Sequence, residues 1–326
     1  MHPFASFVTV ASLSADTEIV SLSPYQFWGI PLALIGAALM SFGAQYQSRG
    51  LNKVERITGR SASAGLSFTH LLGLLRRPSW VVGTSLLALA IVFQIAALSF
   101  APLIVVQPLG VTAMVITAVL NARMSGLRLP KRALTSLALS VSGILAFVVV
   151  AAFTAADRPV TNQKLITILI LFGVALLGLL AGYMLLRHRA VALFYIAGAG
   201  ILYGFVATFA KVVIGRFQQD AFDWLAWAGV LALLVGGLVG MVFVQHAYSS
   251  GPPDLVIAGL TVIDPLVAIL IGIAVLNEAA GAPLWAALTF IISGIVALVG
   301  VIGLAKFHPQ TGLSAITKDV STEAEM

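Results

Sequence analysis

An aspartate followed by a proline lies deep inside an apolar run, at Asp264–Pro265 of TVIDPLVAIL (261–270). Two kinds of chemistry fit the pair. Asp then Pro is an N-cap followed by a first helical residue, so Asp264 would cap the second half of a helix broken at that point. An ionisable group in mid-membrane is also costly, and usually faces a water-filled path or a partner, which makes Asp264 a candidate proton-coupling or cation-coordinating carboxylate and the one candidate metal ligand. The two readings are compatible, because broken helices build binding sites in membranes. Gln107–Pro108 in IVVQPLG (104–110) repeats the arrangement with an amide, which can coordinate without a charge or can bond the carbonyl that a proline frees. Pro108 and Pro265 are therefore the expected helix breaks.

Three further residues complete the candidate pathway. Lys211 lies about one turn from the end of an apolar run, where it would either snorkel to the interface or balance Asp264. Gln45 is its uncharged counterpart in the first run. Glu278 follows an apolar run and is expected in a short loop as an exposed charge. Gln94, Gln245 and His246, near run ends, are candidate gate lining, although a lone histidine there is more often interfacial than a ligand. Asp254, after Gly251-Pro252-Pro253, reads as the N-cap of the run that carries Asp264.

These residues need elements that hold them in lipid. Of 326 residues, 60% are hydrophobic and 9% charged, more apolar surface than a water-soluble chain of this length could hide. With no cysteine, disulfides and thiolate metal sites are excluded. The net charge of +6 sits in short loops between apolar runs, a pattern of membrane topology and not of nucleic-acid binding. Nine runs are long enough to span a bilayer: Trp28–Gln47, Ser79–Phe100, Leu103–Asn121, Ala133–Phe153, Leu165–Leu186, Val191–Ile214, Trp224–His246, Leu255–Leu276 and Leu284–Ala305. All should be helices, which satisfy their own backbone in lipid. Fourteen of the 18 Lys and Arg fall in one set of alternate loops and the C-terminal tail; only Arg158, Lys164 and Arg216 fall in the other set. The positive-inside rule then places the N-terminus outside and the C-terminus in the cytoplasm of a plasma (inner) membrane protein.

The predicted organisation has five parts. Residues 1–27 form an extracellular tail, since no basic segment precedes the short apolar stretch FASFVTVASLSA. Residues 28–153 form a first repeat that includes a cytoplasmic loop, 48–78, and residues 154–190 a linker helix. Residues 191–305 form a second repeat and 306–326 a cytoplasmic tail. Within the loop, residues 62–77 place Phe68, Leu71, Leu72 and Leu75 on one helical face, which fits an interfacial helix as well as it fits a plain loop. The repeat rests on AVLN at 118–121 and 274–277, SGIL (142–145) against SGIV (293–296), and the two proline motifs. An offset of five helices turns one half over relative to the other, so the fold class is an all-α polytopic membrane protein of two inverted four-helix repeats plus a linker, an arrangement found in secondary transporters.

The stretch LSFAPLIVVQPLG followed by AVLN, with IDPLVAILIGIAVLNE in the second half, resembles the drug/metabolite transporter superfamily over residues 28–305. Nine helices and an outside N-terminus look most like its NIPA-like (EamA-like) branch. The resemblance implies a secondary carrier of a small solute or ion working by alternating access, with magnesium or another divalent cation as the alternative substrate class. The chain has Asn121-Ala122 where many relatives carry an acidic residue. A non-transporting membrane scaffold with a filled core is the rival reading. GLLAG (178–182), GILYG (200–204) and GGLVG (236–240) would serve close packing within the chain or between protomers of a homo-oligomer. No GxxxxGK[ST], HExxH or GxSxG motif occurs, so neither an enzyme nor a cofactor is expected, and the partners are the substrate and membrane lipid.

Overall fold

A computed structural model describes residues 26–58, 77–124, 130–186, 192–221, 223–251 and 253–307. The interfacial segment expected at 62–77 (all but Arg77), nearly all of the N-terminal tail and the C-terminal tail beyond Phe307 lie outside the described residues, as does the Asp254 side chain. The described chain folds into ten helical segments: α1 (Gln26–Thr58), α2 (Pro78–Phe100), α3 (Leu103–Gly110), α4 (Thr112–Met124), α5 (Lys131–Thr154), α6 (Asn162–Leu186), α7 (Ala192–Gln218), α8 (Trp224–Ser250), α9 (Pro253–Ala274) and α10 (Leu284–Phe307). No strand occurs among the described residues. Nine of the stretches are long and apolar enough to cross a membrane, α3 and α4 making one of them together. They coincide with the nine runs expected from the sequence.

Both expected proline breaks differ from expectation. Helix α9 runs through Pro265 without interruption. The third span divides at Val111, three residues after Pro108, and Val111 itself keeps right-handed helical angles of −63° and −24°. A proline in a helix frees the carbonyl four residues back and costs about 3 kcal/mol or more when nothing compensates. In α9 the proline lies where the helix packs closely: Gly204 of α7 lets the backbone at Asp264–Val267 come so near that a Cβ there would meet the Val267 Cβ at 2.6 Å and the Asp264 carbonyl oxygen at 2.9 Å.

The most enclosed span is α7, with 61% of its central window buried, and the least is α6, with 17%. Helix α7 therefore forms the centre of the bundle, packed on α8, α9 and α2, while α6 lies at the edge. Helix α1 packs along α2, and α5 along α10. Small residues at seven-residue spacing make the first of these seams: Gly29, Gly36 and Gly43 oppose Gly83, Ala90 and Ala97. A Cβ on Gly83 would stand 2.4 Å from the backbone nitrogen of Gln47, so only glycine fits at that crossing. Helix α3 is buried from Leu103 to Leu109 and packs on α1, α5 and α9.

Candidate functional site

Helices α2 and α3 meet at a sharp bend of two extended residues, Ala101 and Pro102. Such a bend strands the carbonyls that end one helix and the amides that begin the next. Pro102, in the N-cap position of α3, has no side-chain acceptor to offer. Two side chains from distant elements supply the missing partners. The Lys211 Nζ on α7 donates to the carbonyls of Leu98 (2.8 Å) and Ala101 (3.1 Å) and to Asp157 Oδ2 (2.7 Å). Glu278 accepts from the Leu103 amide through Oε1 and from the Ile104 amide through Oε2, both at 2.8 Å. Cations favour helix C-termini and anions N-termini, so each charge sits at the end of a helix that suits it.

Glu278 was expected as an exposed loop charge. It is 1% exposed, and the structure corrects that expectation. Its position follows from the end of α9, where Asn277 adopts a left-handed φ of 60° and turns the chain inward. The Glu278 amide then donates to the Gly272 carbonyl (3.0 Å), and its own carbonyl accepts from the Ala156 amide (2.8 Å). Gly272 leaves room for the carboxylate, since a Cβ there would lie 2.8 Å from Oε2. Burial pushes the Glu278 carboxyl up from its ordinary 4.5 to about 7, although the Ile104 and Leu103 amides and the Lys211 charge hold it down.

Lys211 is 3% exposed, so it does not snorkel. It pairs with Asp157 of the α5–α6 connection and not with Asp264. Other bonds pin the same face. Lys164 donates to the carbonyls of Pro159 (3.1 Å) and Leu276 (3.0 Å). Arg216 reaches Asn162 Oδ1 (2.7 Å) and Asp223 Oδ2 (2.8 Å), and the latter hydrogen bond holds the Asp223 carboxyl below the usual carboxylate range while Asp223 caps α8 through the Ala226 amide.

The other predicted residues fall elsewhere. Gln45 donates through Nε2 to Asn121 Oδ1, joining α1 to α4 near the ends of those two membrane-crossing stretches that lie far from the bend. Gln107 is buried on α3, which packs on α9. Asp264 sits in the middle of α9, where no helix starts, so it caps nothing; its Oδ1 is shut off from solvent with no hydrogen-bond partner. His246 stacks on Tyr195 at 5.1 Å and bonds the Val242 carbonyl within its own helix. Asp157 was missed by the sequence reading; the available signal was that it is the one acidic residue in the connection between the fourth and fifth runs. Among the described residues no group of three His, Asp or Glu side chains is placed to hold a metal ion.

Among the described residues, nine stretches long enough to cross a membrane, with Lys211 and Glu278 buried in the bundle, have the build of a polytopic membrane transporter, and the comparisons with known proteins agree. The family model described as Magnesium transporter NIPA matches residues 25–185. An uncharacterized protein of Corynebacterium glutamicum is 30% identical over 257 residues, covering 77% of this chain and 88% of that protein. The chain belongs to the NIPA magnesium transporter family. No solved structure matches it.

Proposed function

We propose that the chain is a secondary transporter that carries magnesium, or another divalent cation, down the membrane potential by alternating access between two inverted halves. The observation that carries this reading is Asp264: a carboxylate in mid-span with a buried, unpartnered oxygen, pressed against the glycine face of the most enclosed helix. A buried, unsatisfied carboxylate is expensive and persists where a cation or proton visits it. Magnesium keeps most of its water and needs only one or two carboxylates, so a single aspartate with Gln107 on the facing helix suits a partly hydrated ion in transit.

The packing supports the inverted halves. Helices α1 and α2 pair closely, as do α7 and α8; the third span leans on α1 as α9 leans on α7; and the third span meets α9, and α5 meets α10, as counterparts across a pseudo-twofold axis would. The charge bias supports an orientation with the bend between α2 and α3 outside and the C-terminus in the cytoplasm.

The test is reconstitution in liposomes that enclose a magnesium indicator. Wild-type protein should admit magnesium faster under an inside-negative potential, and Asp264→Asn should lose that flux while eluting as a folded species in detergent. Wild-type protein that admits no magnesium, or a fully active Asp264→Asn variant, would overturn the assignment.

A further inference from the structure

The two ends of the bundle are held by bonds of different kinds at corresponding places. Gln45 of the first half corresponds in the repeat to Lys211 of the second, and Asn121, closing the first AVLN, corresponds to Asn277, closing the second. At one face Lys211, with Asp157 and Glu278, ties α7 and the end of α9 to the α2–α3 bend through charged groups. At the other face Gln45 ties α1 to α4 through a neutral amide pair. We infer that these are the two gate latches of the transporter, an ionic latch (Lys211, Asp157 and Glu278 on the bend) and a neutral latch (Gln45 on Asn121), and that each must release for the pathway to open at its own face. This inference rests on the alternating-access reading and names the residues that enforce it.

The chemistry fits a gate better than it fits simple structural glue. The ionic latch grips a point where the backbone already changes direction, at Ala101–Pro102, so releasing it frees a hinge and not a helix middle. It gathers four elements: α2–α3, the α5–α6 connection, α7 and the segment after α9. Hydrogen bonds to charged groups are roughly twice as strong as neutral ones, so the ionic latch is the harder of the two to release. Both latches are made in this structure, and with the ionic one harder to release the protein opens more readily at the Gln45–Asn121 face.

The natural chain has no cysteine, so a single introduced cysteine reports alone. Ala101→Cys and Ala155→Cys lie buried beside the ionic latch, and Ala122→Cys lies buried beside the neutral one. The Ala155→Cys protein keeps the measurement sound, because Gly29 packs closely on position 101 and leaves a thiol there little room. Each single-cysteine protein is placed in lipid nanodiscs, which leave both faces open to a hydrophilic maleimide, and its labelling rate is measured. Adding Glu278→Gln should raise labelling at 101 and 155 by about tenfold or more, the ratio one charged hydrogen bond contributes, and lower it at 122. Adding Gln45→Ala should do the reverse, raising labelling at 122 and lowering it at 101 and 155. The opposed signs are what a latch pair requires and what mere loosening cannot give. Rates that rise at both faces together, or that do not change, would overturn the inference. The readout involves no magnesium: a protein that shows opposed labelling but carries no magnesium keeps its latches and loses the substrate assignment, and one that carries magnesium without opposed labelling loses the latches alone.

Discussion

Lys211 and Glu278 hold the two sides of one backbone bend. The ammonium binds the carbonyls of Leu98 and Ala101 that close α2, and the carboxylate binds the amides of Leu103 and Ile104 that open α3. Neither charge needs the other as a direct partner, because each meets the end of a helix whose dipole suits it. The bend is thereby satisfied in a place where water would otherwise have to reach it.

Glu278→Gln should destabilise the protein and remove a pH dependence. Glutamine offers one acceptor oxygen, so one of the two amides would face an NH2 group, and above about pH 7, where the carboxyl is ionised, losing a charged hydrogen bond costs about 1.5–3 kcal/mol. The pH effect has a definite sign. The folded carboxyl titrates near 7 and the unfolded one near 4.5, so between those values the folded state holds the extra proton. Stability from this group is full below about 4.5 and falls as pH rises toward about 7, with a limiting slope of about 1.4 kcal/mol per pH unit. Thermal unfolding in detergent across that range, wild type against variant, should show the slope in the first and not the second. Equal slopes would mean that Glu278 stays ionised throughout.

Lys211→Met should be more damaging than Asp157→Asn. Methionine leaves two carbonyls and a carboxylate without their donor, and the carbonyls lie inside the bundle. The Asp157 side chain is 36% exposed, so once unpaired it can turn to water, and its loss leaves Lys211 with two carbonyl acceptors. The expected ordering is a loss of about 2–4 kcal/mol for the lysine variant and about 1 for the aspartate variant. Comparable melting temperatures for the two would contradict the geometry.

The nine spans could be read before the structure because one solvent decides them: in lipid, apolar length gives the spans and the backbone's own hydrogen bonding makes them helices. The candidate residues were harder. Glu278 follows an apolar run and looks like a loop charge; its burial depends on amides 174 and 175 residues away, and on a left-handed Asn277 that pattern does not reveal. Pro265 looks like a break because local cost argues for one, yet α9 runs on through it, packed closely on the distant Gly204. Asp157 shows nothing by itself, since its role comes from Lys211 on another helix. What could not be read was in each case a long-range partner.

Gly272→Ala should behave as a mild copy of Glu278→Gln. The added Cβ would stand 2.8 Å from Oε2, so the carboxylate must withdraw from the Ile104 amide. Crowding of this kind costs about 1–3 kcal/mol. Combining Gly272→Ala with Glu278→Gln should cost less than the sum of the single effects, because both act on one bond. Full additivity in melting experiments would show that the alanine acts elsewhere.

Asp264 separates stability from function. Since α9 does not start there and Oδ1 has no partner, the carboxylate contributes nothing to folding that a neutral group would not. Removing a buried, unsatisfied polar atom in favour of an apolar group of similar shape is neutral or stabilising. Asp264→Leu should therefore unfold at the same temperature as wild type or higher, and Asp264→Asn close to wild type. Had the residue capped a broken helix, the asparagine variant would keep its stability and the leucine variant would lose about 1 kcal/mol or more. Both variants should fail to carry magnesium, with the loss of flux unaccompanied by loss of fold. An unstable Asp264→Leu protein would show that the aspartate has a structural partner, and the transport defect of either variant would then no longer identify an ion site.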